Sequence, residues 1–184
     1  MQFHPLPIPD IKLITPIRRG DMRGYFSEVF KDRWFRENIA NTQFVQDNES
    51  LSATTGTVRG LHFQLAPYEQ GKLVRCVRGA LLDVAVDIRK GSPSYGEWVS
   101  CELTADNGEQ LWVPPGFAHG FITLAPETVI NYKVTAPYSS QHEGGLIWND
   151  GAIGIEWPIM EKYILSDKDL KLPLLAELPI CFDY

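Results

Sequence analysis

Cysteine is scarce in this chain, and its pattern excludes two ways of building a fold. Cys76, Cys101 and Cys181 are odd in number and widely spaced, so they supply neither a disulfide framework nor a cysteine-rich metal site. They read as reduced thiols of a cytoplasmic protein. Long apolar runs are missing as well: no window approaches the ~20 apolar residues that span a bilayer. The first ten residues carry three prolines and no apolar stretch, which does not describe a signal peptide. Positive charge is in deficit, with 17 Lys and Arg against 23 Asp and Glu and a net charge of -6. General attraction to nucleic acid or to an anionic membrane is therefore not expected. A phosphate-bearing ligand would have to be caught by a few cations placed locally. Helical periodicity is rare too. Only one stretch shows it, where Trp34, Phe35 and Ile39 supply an apolar side behind Asp32 as the expected cap.

What is present is the material of one domain spanning residues 1–184. Hydrophobic residues at 44% and charged residues at 22% suffice for a core and do not describe a disordered chain. Short strand-like runs succeed one another over 11–17, 25–30, 43–48, 58–65, 72–77, 80–88, 95–104, 110–113, 118–124 and 128–135. Turn residues separate them, among them Asp106-Asn107-Gly108, a hairpin signal. This spacing predicts an all-β sandwich or barrel. The residues from Gly151 onward are apolar and proline-rich without a period, and are expected to wrap the barrel with short helical turns.

Polar residues interleaved with core residues mark the candidate chemistry. A period of two puts Leu61, Phe63 and Leu65 on one face, with His62 and Gln64 on the other. Taken alone, that polar face is ordinary surface. Alternation also puts Arg59 opposite His62, so either Gly60 bends the strand or Arg59 works from a neighbouring site. Ile130, Tyr132 and Val134 share a face against Asn131 and Lys133; Tyr132 alone reads as a core tyrosine with its hydroxyl tied down. His119 follows the tight turn at Pro114-Pro115-Gly116 and alone reads as structural.

Metal binding can be tested directly on these residues. Cupin jelly rolls ligate metal with His-x-His, a later Glu and a histidine in a Pro-x-Gly-x-x-His turn. The turn is here, as Pro114-Pro115-Gly116-Phe117-Ala118-His119. His62-Phe63-Gln64, however, puts glutamine where the second histidine would stand, and Lys72 follows nearby. Two strong ligands beside a cation are too few. The barrel resembles a cupin, and a metal-free one is expected.

Five motifs then occur in order: Gln46-Asp47-Asn48, Arg59-Gly60-Leu61-His62-Phe63-Gln64, Gln70-Gly71-Lys72-Leu73-Val74-Arg75, Trp112-Val113-Pro114-Pro115-Gly116-Phe117-Ala118-His119-Gly120-Phe121 and Trp148-Asn149-Asp150. In these motifs the chain closely resembles the dTDP-4-dehydrorhamnose 3,5-epimerase family, from about residue 11 to residue 173. The resemblance implies a cupin-like jelly roll acting without cofactor or metal on dTDP-4-dehydro-6-deoxy-D-glucose. It implies His62 as the base, oriented by Asp169, and Tyr132 as the acid on the opposite face. Lys72, with His119, would stabilise charge on the carbonyl oxygen. Arg23 and Arg59 match diphosphate contacts, and Glu28, Gln46, Asp47 and Asn48 match polar contacts to the nucleotide and sugar. Tyr138 matches the aromatic that stacks on thymine; Glu143 and Lys168 match further ligand contacts. The family's dimers exchange N-terminal strands, so Arg23 and Glu28 are expected to serve a partner's pocket.

Three other functions compete with a double epimerase. A relative could invert one carbon only, or isomerise a similar keto sugar, and Tyr132 favours an epimerase with an opposite-face acid. A metal-dependent cupin oxygenase or isomerase is disfavoured by Gln64. A non-catalytic sugar-binding module would have no use for a His62–Asp169 pair.

Overall fold

Strands that alternate apolar and polar residues bury one face, and two such sheets close on each other here. The computed structural model describes residues 1–184. In chain order its strands are β1 (Gln2–Pro5), β2 (Lys12–Thr15), β3 (Arg18–Asp21), β4 (Gly24–Ser27), β5 (Gln46–Ser52), β6 (Val58–Gln64), β7 (Lys72–Arg78) and β8 (Ala80–Asp87). β9 (Arg89–Lys90), β10 (Trp98–Thr104), β11 (Gln110–Val113), β12 (Phe117–Thr123), β13 (Thr128–Val134), β14 (Glu143–Gly145) and β15 (Phe182–Asp183) follow. One helix, α1 (Asp32–Asn38), lies between β4 and β5. A six-stranded sheet runs β1-β2-β11-β7-β13-β5 and a five-stranded sheet runs β10-β8-β12-β6-β14. The expected all-β, cupin-like jelly roll is the fold observed. No helix is long and apolar enough to cross a membrane.

Three apolar clusters explain the layering. Ile11, Val74, Leu81, Ala85, Leu111, Phe121 and their neighbours fill the space between the sheets. A second cluster, with Leu61, Phe63, Val84 and Val86, lies on the outer side of the five-stranded sheet and is covered by tail residues including Trp157, Leu175 and Phe182. The third packs Phe35 of α1 and Ile39 just after it against Trp112 and Ile14 on the outer side of the six-stranded sheet. The five-stranded sheet is therefore covered on both faces, which is why β8 has apolar residues on both. Full burial of each large apolar side chain contributes roughly 1.5–3 kcal/mol.

Several boundaries differ from the sequence expectation, each for a local reason. The residue before α1 is Lys31, not Asp32, and no side chain caps the helix; Asp32 instead sits in the first turn, where its charge suits the helix dipole. The turn at 106–108 forms, with Asn107 Oδ1 accepting the backbone N–H groups of Thr104 and Glu109. It does not make a hairpin, because β10 pairs with β8 while β11 pairs with β2 and β7 in the other sheet. The expected strand at 43–48 starts at Gln46 and runs on to Ser52. The tail supplies 3-10 turns at Asp169–Lys171 and Leu175–Glu177, as expected, and also β15, which pairs in parallel with β9.

Candidate active site

Between the sheets, at one end of the barrel, a cavity of about 480 Å³ is lined by Arg59, His62, Lys72, His119, Tyr132, Lys168 and Asp169, among others. His62, Lys72 and Tyr132 also line an adjoining space of about 280 Å³ with Gln46, Asn48, Gln64, Tyr138 and Glu143. His62 and His119 are register partners on β6 and β12, whereas Lys72 and Tyr132 come from β7 and β13 of the facing sheet. The imidazole and the phenol thus reach the cavity from opposite walls.

Gly60 explains how Arg59 joins them. Its φ is +115°, and a Cβ there would meet Gly120 Cα and His119 O at 2.7 Å. Only glycine fits such a close approach at positive φ. The β6–β12 register shifts between His119 and Phe121, so alternation breaks at that point. Arg59 consequently lines the same cavity as His62, where its guanidinium donates to Ser52 Oγ and to the carbonyl of Leu51.

His62 Nε2 lies 2.7 Å from Asp169 Oδ1. The tail brings this carboxylate in: Ile164 bridges to Thr57 beside β6, and Ser166 Oγ accepts the Asp169 backbone N–H. An ionised carboxylate only accepts, so Nε2 carries the ring proton and Nδ1 is the nitrogen able to take another. Burial lowers the His62 pKa against the opposing pull of Asp169, with Lys72 lowering it further. Burial pushes Tyr132 up, keeping its phenol protonated at neutral pH.

Lys72 Nζ donates to the His62 carbonyl at 3.2 Å. Burial brings its ammonium down to about 8, with the carboxylates of Asp83 and Glu143 opposing that fall. Asp83, fully buried on β8, also holds His119 Nε2 at 2.8 Å. Its other oxygen, Oδ2, is buried without a hydrogen-bond partner. A buried carboxylate left half-satisfied is costly, and the charge of Lys72 interacts favourably with it.

At the outer end, Glu143 Oε2 accepts from Tyr138 Oη at 2.9 Å and pairs with Lys168 Nζ at 2.5 Å. Burial raises the Glu143 carboxyl, but those two bonds outweigh it and the net shift is downward. Tyr138 is more than half exposed, so its ring presents an open face. No group of three His, Cys, Asp or Glu side chains gathers as a metal-ligand set, and Gln64 Oε1 accepts the Ser139 N–H at 2.8 Å.

Three expected ligand residues lie outside this cavity within the chain: Asp47 needs correction, whereas Arg23 and Glu28 are the two expected to serve a partner's pocket. Asp47 alternates with Gln46 and Asn48, so it faces outward, where Lys133 Nζ binds it at 2.8 Å. Arg23 projects into solvent from the β3–β4 hairpin and pairs with Asp21. Glu28 pairs with Lys31 and lines a separate small pocket with Arg19 and Trp34. Sequence reasoning in turn missed Asp83 as a site residue. Its acidic character on a strand that is apolar apart from Asp83 and Asp87 was the available signal.

A jelly roll with a carboxylate-oriented imidazole on one wall, a phenol on the other and the Lys72 ammonium beside them is a site for proton transfer at a carbon next to a carbonyl. Comparison with known proteins is specific. The chain matches the family model described as dTDP-4-dehydrorhamnose 3,5-epimerase over residues 5–177 and belongs to that family. It is 65% identical over 184 residues to the dTDP-4-dehydrorhamnose 3,5-epimerase of Sinorhizobium fredii, covering 100% of this chain and 94% of that one. Among solved structures it is similar to the dTDP-6-deoxy-D-glucose-3,5-epimerase of Legionella pneumophila in complex with dTDP-4-keto-L-rhamnose. The TM-score is 0.96 and the identity 39%, with 100% and 98% of the two chains covered. A 3'-monoepimerase from Streptomyces bikiniensis in complex with dTDP-quinovose is also similar, at a TM-score of 0.88 and 32% identity over 94% and 87% of the chains.

Proposed function

We propose that this chain inverts carbons 3 and 5 of dTDP-4-dehydro-6-deoxy-D-glucose, giving dTDP-4-dehydro-L-rhamnose for dTDP-L-rhamnose synthesis. The observation that carries the reading is the 2.7 Å His62–Asp169 pair facing Tyr132 across the cavity. His62 takes the proton from the carbon beside the ketone, and the electron pair moves onto the carbonyl oxygen as an enolate. Tyr132 returns a proton to the same carbon from the other face. His62 is left as imidazolium and Tyr132 as phenolate, and exchange with water resets both. Asp169 stabilises the imidazolium without itself being protonated, as in hydrolase triads. Lys72, with His119, stabilises the enolate oxygen, since positioned charge in a dry site is a large catalytic effect. The substrate's ketone acidifies both carbons, so the reading uses no metal or nicotinamide.

In the same reading Arg59 binds the diphosphate, Tyr138 stacks on thymine, and Gln46, Asn48, Glu143 and Lys168 hold the nucleotide and sugar. Arg23 and Glu28 reach the neighbour's pocket in a homodimer. Exposed Tyr25 and Phe26 on the β3–β4 hairpin, and β5 at the open edge of its sheet, support strand exchange between two copies. Three unpaired thiols suit a cytoplasmic location.

Turnover of the keto sugar in deuterated water tests the reaction. Deuterium at carbons 3 and 5 is expected; label at carbon 3 alone would replace this reading with the monoepimerase that the Streptomyces relative exemplifies.

A further inference from the structure

Gln64 stands where a metal-binding cupin would have its second histidine, and the proposed reaction gives it no chemistry. It is only 4% exposed, and its Oε1 accepts the backbone N–H of Ser139 at 2.8 Å. Two more glutamines act on the same short segment. Gln70 Nε2 donates to the Ala136 carbonyl at 2.8 Å. Gln46 Oε1 accepts the Tyr138 N–H at 3.4 Å, while its own amide donates to Asn48 Oδ1 at 2.7 Å. These side chains come from β6, from the residues just before β7, and from β5. Residues 136–139 belong to no sheet, so side chains replace the ladder that a strand would have. A primary amide suits the task because it offers both a donor and acceptor sites at the end of a reach longer than asparagine's.

We propose that Gln64 and Gln70 are positioning residues for the nucleotide base, pinning residues 136–139 with Gln46 so that the Tyr138 ring is held ready to stack. The proposal rests on the reading of this pocket as a dTDP site. A loop fixed beforehand loses less conformational freedom when the ligand arrives, and that saving appears as affinity. The Tyr138 hydroxyl is anchored to Glu143 at 2.9 Å, and the glutamines fix the backbone that bears it.

The test is calorimetric titration of the full chain with dTDP. Gln64→Met and Gln70→Met keep side-chain length and remove the polar end; each is made alone and again with Tyr138→Ala. Tyr138→Ala alone should weaken binding roughly 5- to 150-fold, the loss of one stacked base. Each methionine variant should weaken it about fivefold, the worth of one such hydrogen bond, and the loss should fall on KM rather than kcat. With alanine at 138, neither methionine should weaken binding further. Unchanged affinity in both methionine variants, or a loss that persists undiminished without the ring, overturns the proposal. Thermal unfolding checks each variant's fold, and if Gln64→Met does not fold, the half-buried Gln70 decides the matter. Wild-type protein that fails to bind dTDP would instead defeat the functional reading on which this rests.

Discussion

Raising the pH above neutrality should stop the proposed reaction as Lys72 loses its proton. Burial of that ammonium brings it to about 8, and stabilising an enolate requires the charged form. Near that value about 90% of Lys72 is protonated at pH 7 and about 10% at pH 9. The base has the opposite requirement. His62 must be neutral, and because burial lowers its pKa from 6.5, its limb lies on the acid side of that value. Tyr132 is shifted above 10 and stays protonated throughout. A plot of log kcat/KM against pH, which reports the free enzyme, should therefore rise below pH 6.5, run level through neutrality and fall near pH 8. The groups around Lys72 are Asp83 on β8, Glu143 on β14, His62 on β6, His119 on β12 and Tyr132 on β13. Asp83→Asn removes one of the two carboxylates that favour the charged amine, so the alkaline limb should move to lower pH. Lys72→Arg keeps its charge at every pH used, and its residual activity should lack that limb. An alkaline limb at pH 10 in the wild type, or one that survives in Lys72→Arg, would refute the assignment of Lys72.

Replacing His62 with alanine should abolish turnover in the same assay while leaving dTDP affinity near normal in a binding titration, because the base does not hold the nucleotide. Asp87 is fully buried and accepts from Arg89, Ser92 and Ser94. Asp87→Ala leaves the mostly buried Arg89 guanidinium with Asp10 as its one remaining carboxylate partner, and should cost up to about 3 kcal/mol in chemical denaturation at neutral pH. Burial raises the Asp87 carboxyl, yet its hydrogen bonds outweigh that and hold it below the usual range. Its contribution is present above the unfolded pKa and lost as pH falls, so the gap to the variant should narrow only below about pH 4. If the proposed homodimer forms through this hairpin, Tyr25→Asp and Phe26→Asp should shift sedimentation from dimer to monomer and remove activity, because Arg23 and Glu28 would then not reach a neighbour's pocket.

Alternation in the sequence made the paired walls of the cavity legible, and failed where function or long-range contacts displaced it. His62, Tyr132 and the core strands β6, β8 and β13 were readable because apolar residues recur every second position beside them. β5 was misplaced for the opposite reason. Gln46, Asn48, Ser50 and Ser52 point inward and Asp47, Glu49 and Leu51 outward, so a strand facing a ligand space shows no apolar stripe. The same alternation that hid β5 put Asp47 on the outer face, a conclusion that could have been drawn from residues 46–48 alone. Asp169 was beyond any pattern in the sequence. It lies 107 residues from His62, in a tail without periodicity, and only tertiary packing of Ile164 beside Thr57 brings it to the ring. Resemblance supplied its role; spacing could not. Gly60 is the instructive intermediate. Strict parity separated Arg59 from His62, and the positive φ that only glycine tolerates reunited them. A glycine inside an otherwise regular strand is therefore best read as the place where parity stops applying, and here that place is one residue from the cation and two from the base.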